Sequence, residues 1–133
     1  MHLKDNPIGL PGDIDHECFE LCCTLNRMPG VETYESCCGH LKERYSIWFR
    51  SYNLDAIARI ARSVDRNYSD GRWELVVDCN DTEPQGCFWL RSKKPFSTDK
   101  TMEKSVRNLI RSIEYWCGNE FDKHFGNNKK IWE

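Results

Sequence analysis

Residues 31–50 constrain the fold most tightly. Val31 to Tyr34 reads as a short strand, Tyr45-Ser46-Ile47-Trp48-Phe49-Arg50 as an aromatic one, and the chain between them must turn back. That turn carries Glu35-Ser36-Cys37-Cys38-Gly39-His40, which puts a carboxylate, a hydroxyl, two thiols and an imidazole around a glycine free to bend sharply. Loops held on a rigid sheet commonly carry function, so this one is the candidate site.

The remaining elements follow from periodicity. Asp13 is placed to cap a first helix whose apolar stripe is Ile14, Cys18, Leu21, Cys22, Leu25 and Met28, and Pro29-Gly30 ends it. Asn53 caps a second helix with an expected apolar face of Leu54, Ile57, Ala58, Ala61 and Val64. Trp73–Cys79 and Cys87–Ser92 read as strands joined by a polar stretch containing Pro84-Gln85-Gly86. Ser97, Thr98 and Asp99 offer caps for a long third helix, cored by Met102, Val106, Leu109, Ile110, Ile113, Trp116 and Cys117. The order is α-β-β-α-β-β-α, a duplicated β-β-α unit behind an N-terminal helix. It predicts an α+β protein of two layers, a four-stranded sheet with helices on its apolar face. Residues 1–12 form an irregular lead-in, 13–126 a single domain, and 127–133 a tail expected to fray.

A chain of 133 residues can bury a real core without disulfides. Its eight cysteines include no C-x-x-C pair, only the doublets Cys22-Cys23 and Cys37-Cys38. The N-terminus has no signal-peptide pattern and no apolar run reaches the roughly 20 residues of a membrane span, so a cytoplasmic location, reduced thiols and no membrane partner are expected. Residues 1–43 hold three Lys/Arg against eight Asp/Glu, and residues 44–133 sixteen against thirteen. That balance excludes a strongly basic nucleic-acid binder but leaves room for a local basic face.

Several chemistries stay open at the loop. A thiol enzyme would use Cys37 as nucleophile and His40 as base, oriented by Glu35. A zinc site would use Cys37 or Cys38 with His40, helped by Cys22, Cys23 or His16 of the first helix. A ligand site would draw on Ser36, Gly39, Cys38 and Glu35, with Ser36, Cys37, Gly39 and His40 as the floor of a pocket walled on one side by the first helix; strand alternation lets only one of Glu35 and Ser36 line it. The plainest alternative is that Ser36 and Gly39 build the turn while the thiols pack, as Cys18 and Cys22 are expected to do. Lys100, Lys104, Arg107 and Arg111 recur on one ridge of the third helix, and Arg59, Arg62 and Arg66 on the second. Either ridge suits RNA phosphates, or is simply a solvated face with pairs such as Asp55–Arg59.

The string Leu25-Asn26, Thr33-Tyr34-Glu35-Ser36-Cys37-Cys38-Gly39-His40 and Trp48-Phe49, following Asp13 and Asp15, also carries a resemblance. It is similar to small uncharacterised bacterial and phage proteins with a Ser-Cys-x-Gly-His loop. More distantly it resembles the wybutosine-synthesis methyltransferases that act on transfer RNA, whose loop reads Ser-Cys-Ser-Gly-Arg. His40 stands where those enzymes have Arg, and Cys38 where they have a second Ser. The resemblance implies a related fold, an S-adenosylmethionine cofactor and an RNA substrate, and it favours Cys37 over Cys38 as the functional thiol. Oligomeric state is not legible in the sequence.

Overall fold

The computed structural model describes residues 2–3, 14–78 and 86–121. His2–Leu3 (β1) pairs antiparallel with Ile14–Asp15 (β2), which leads directly into α1, His16–Asn26. Then come β3 (Val31–Cys37), β4 (Ser46–Ser51), α2 (Leu54–Ser63), β5 (Trp73–Asp78), β6 (Cys87–Ser92) and α3 (Asp99–Cys117). This is the α-β-β-α-β-β-α order of an α+β fold. The four long strands form one antiparallel sheet in the order β3-β4-β6-β5. The two β-β-α units therefore meet through their second strands, leaving β3 and β5 at the edges. The rest of the expected lead-in, the tail from 127 and Cys79 lie outside the described residues.

Alternation decides which face is covered. Ile47 and Phe49 of β4 oppose Leu90 and Phe88 of β6, and all four are buried with Leu21 and Leu25 of α1 and Leu109 and Ile113 of α3. Burial of each such side chain contributes roughly 1.5–3 kcal/mol. At one end of the sheet Tyr45, Trp73 and Phe96 pack as a triad with ring centroids 5.2–6.4 Å apart. The Trp73 indole N–H donates to Ser105 Oγ at 3.0 Å, tying this end to α3. The opposite face carries Trp48 edge-on to Trp89 at 5.5 Å and Arg50 over the Tyr34 ring at 4.4 Å.

The structure makes three local departures from the sequence reading. The first helix starts at His16 rather than after Asp13, and Asp15 at its N-cap makes no side-chain cap bond because its carboxylate is used elsewhere. In α2, Ala56, Ile60 and Ser63 are buried, whereas Leu54 is 80% exposed and Ala58 and Ala61 face outward. The expected Ile57 and Val64 do pack, partly buried, against the core, and Ser63 lies against α3: Ser112 Oγ donates to the Ser63 carbonyl at 2.7 Å. Asn53 does cap α2, accepting from the Ala56 N–H at 3.2 Å. Finally, β3 carries a bulge between Thr33 and Glu35. It shifts the alternation by one, so that Ser36 pairs opposite core Ile47, and Cys37 opposite Ser46.

Seven cysteines are described, all free. Burial pushes the thiols of Cys22 up to about 12 and Cys117 up to about 11, so these two pack as small apolar groups. No helix among the described residues is long and apolar enough to cross a membrane.

Candidate functional site

The loop is anchored at both ends before it forms a site. Asn26, at the end of α1, donates through Nδ2 to the Cys22 carbonyl at 2.8 Å and to Thr33 Oγ1 at 2.7 Å, and its Oδ1 accepts from the Thr33 N–H at 3.0 Å. These buried bonds fix the start of β3 against the end of α1. At the far end, the Cys38 N–H donates to Asp15 Oδ2 at 3.0 Å, clamping the loop to the residue that opens the same helix. Helix α1 is thus held to the β3 hairpin at both of its ends.

Immediately after the Cys38 anchor the backbone makes an uncommon turn. Gly39, His40 and Leu41 have φ of 81°, 51° and 64°, a left-handed run in which only the first residue is glycine. Each left-handed non-glycine residue costs on the order of 1–2 kcal/mol, and such strain concentrates at functional sites. The Lys42 and Glu43 N–H groups both donate to the Gly39 carbonyl at 2.9 Å, closing the turn. A Cβ on Gly39 would lie 2.9 Å from the Arg44 carbonyl oxygen, so the returning chain also needs glycine there.

This turn aims the functional groups at Asp15. The His40 ring has Nε2 4.0 Å from Asp15 Oδ2 and Nδ1 3.6 Å from Cys38 Sγ. Cys37 Sγ accepts from the Gly39 N–H at 3.4 Å. Donor atoms of Asp15, Cys37 and His40 all lie within 4.8 Å of one another, as do those of Asp15, Glu17 and Cys38. Asp15 is shared by both groups and is only 2% exposed. Glu17 brings a buried Oε2 that has no hydrogen-bond partner among the described residues. Burial pushes the Cys38 thiol up to about 11, so that it stays protonated near neutral pH unless a cation displaces the proton.

The sequence reading placed Cys37, Cys38 and His40 here, and the structure brings these three together. Ser36 instead points toward Cys22 in the core, and exposed Glu35 lies opposite Trp48, outside the donor group. Cys22, Cys23 and His16 are likewise not part of it. The imidazole–thiol contact is made by Cys38, not Cys37. The residue that sequence reasoning underweighted is Asp15, which entered only through the resemblance. No local signal marks it, because its partner is 23 residues away.

Two cavities formed by described residues are lined by none of Cys37, Cys38 and His40. One of about 230 Å3 runs between the starts of α1 and α3, lined by His16, Glu17, Glu20, Glu103 and Arg107. Another, of about 310 Å3, is ringed by Arg72, Lys93 and Lys94. On α3, Lys100, Lys104, Arg107 and Arg111 are all exposed. On α2, Arg59 is committed to the fold, bonding Asp55 at 2.8 Å and the Trp116 carbonyl at 2.7 Å. No family model, curated protein or solved structure matches this chain.

Proposed function

We propose that the chain is a zinc-binding protein whose centre is formed by Asp15, Cys37 and His40. The observation that carries this reading is the convergence of three chemically different donors, drawn from two distant segments, to within 4.8 Å around a carboxylate buried to 2% exposure. Mixed N, S and O donors suit zinc, whereas magnesium and calcium prefer oxygen alone. In a tetrahedral site such donors would stand about 3.3–3.8 Å apart. The remaining contraction is small and falls on the side chain best able to move, His40, which is 63% exposed. Cys38 then serves the neighbouring role: its sulfur lies 3.6 Å from His40 Nδ1 and orients the ring. Three protein donors leave a fourth position for water or a substrate atom, and bound zinc would make that water acidic enough to ionise near neutral pH.

Elemental analysis of protein purified without added metal should find one zinc per chain. Because the metal binds only the folded site, saturation at about 100 times Kd adds about 2.7 kcal/mol, and chelation should lower Tm by about 10 °C. Occupancy should fall on acidification, since metal binding releases protons from its ligands. A metal-free protein whose Tm ignores both zinc and chelator would defeat the reading.

A second reading, RNA modification in the manner of the resembled methyltransferases with S-adenosylmethionine as donor, has one observation in its favour. Among the described residues, Lys100, Lys104, Arg107 and Arg111 carry no ion pair, so their ridge is available to phosphates.

A further inference from the structure

The cavity ringed by Arg72, Lys93 and Lys94 is built at the same end of the sheet as the Cys37–His40 loop. Trp73 opens β5 opposite Ser92, which closes β6, and the ladder continues one step further: the Lys93 N–H donates to the Arg72 carbonyl at 2.8 Å. Arg72 and Lys93 are thereby held facing each other, and like charges in that relation are unfavourable. Lys94 follows at once. The turn cannot easily relax, because Ser92 Oγ accepts from the Tyr45 N–H at 3.0 Å and donates to the Lys94 carbonyl at 2.8 Å. Below lies Phe96, 4% exposed and packed against Tyr45 and Trp73.

Three cations around about 310 Å3, with no carboxylate in the lining, make this cavity electropositive. Among the described residues, Lys93 and Lys94 have no ion pair, and Arg72 has only Asp70 at 3.9 Å. The lining ends at Ser97, one residue before the Thr98 cap of α3, so the positive end of a 19-residue helix lies beside it. Pro95 and Phe96 add an apolar wall that a bare ion would not use.

We propose that this cavity binds a phosphate group carried on a sugar–base body, either a free nucleotide or one unit of a single-stranded nucleic acid. Arg72, Lys93 and Lys94 hold the phosphate, and the Pro95–Phe96 wall takes the less polar part. Arg72 precedes β5 and Lys93 and Lys94 follow β6, three and two strand spacings from β3, or roughly 14 and 10 Å. The site goes beyond the zinc reading and does not depend on it.

The probes are AMP and a fluorescent ten-nucleotide single-stranded RNA, titrated at about 50 mM salt against the full chain. The double variant Lys93→Glu/Lys94→Glu should weaken binding of whichever probe the protein takes by about tenfold or more, the size of one charge-assisted contact or more. For RNA it should also flatten the salt dependence by about 1.4 in slope, equivalent to two phosphates. Binding of AMP alone identifies a mononucleotide site, and binding of RNA identifies a polymer site. Lys93→Gln/Lys94→Gln, with Tm and zinc content read alongside, separates lost binding from lost folding or a lost metal centre. The proposal is overturned if neither probe binds. It is equally overturned if the Lys93/Lys94 variants bind as the wild type does while Lys104→Glu/Arg107→Glu does not.

Discussion

Asp15→Asn is expected to lower zinc affinity by at least about 100-fold while leaving a folded protein. The substitution preserves shape and one acceptor oxygen, so the Cys38 N–H that donates to Asp15 Oδ2 at 3.0 Å keeps a partner. What disappears is the negative charge beside His40 Nε2, at 4.0 Å, and with it the anionic ligand. Stability without metal should change by no more than about 1–2 kcal/mol. Asp15→Ala makes a useful contrast. It strands the Cys38 N–H as well and should cost a further 1–3 kcal/mol or so. Isothermal titration with zinc and urea unfolding of both variants separate the two roles. Full zinc affinity in Asp15→Asn would remove the carboxylate from the centre.

Gly39→Ala should unseat the loop itself. The residue sits at φ 81°, and its new Cβ would meet the Arg44 carbonyl oxygen at 2.9 Å and the Arg44 carbonyl carbon at 3.0 Å. Both obstacles are backbone, so no side chain can swing aside. The left-handed penalty and the forced displacement together give about 2–4 kcal/mol. Since His40 and Cys38 flank this residue, zinc binding should be lost with it. Gly30→Ala is the matched comparison: φ is 77°, but its Cβ would meet only the Asn53 side chain at 3.3 Å. It should cost about 1–2 kcal/mol and leave zinc binding intact. Equal stability losses in the two variants, measured by urea unfolding, would show that the Gly39 turn has no special constraint.

The strands and the long helix were legible because their signals are local. Tyr45, Ile47 and Phe49 alternate against Trp48 and Arg50, and α3 repeats its stripe from Met102 to Cys117, so periodicity alone places them. The face of α2 was legible in part. Ile57 and Val64 do pack against the core, but Leu54 and Ala61 face outward while Ala56, Ile60 and Ser63 are buried, with Ser112 of α3 bonded to the Ser63 carbonyl. The candidate site was half legible. Cys37, Cys38 and His40 announce themselves by crowding around a glycine, whereas Asp15 joins them only through a tertiary contact. The bulge near Thr33 was equally silent, although it decides that Ser36 turns to the core and Cys37 does not.

Cobalt(II) titration tests the central claim most directly, because its visible spectrum reports coordination geometry and its near-ultraviolet charge-transfer band reports a thiolate ligand. The account predicts one equivalent of tetrahedral cobalt with a thiolate band that zinc displaces and that Cys37→Ser abolishes. A spectrum no different from free cobalt in buffer, or a thiolate band unchanged in Cys37→Ser, would contradict it.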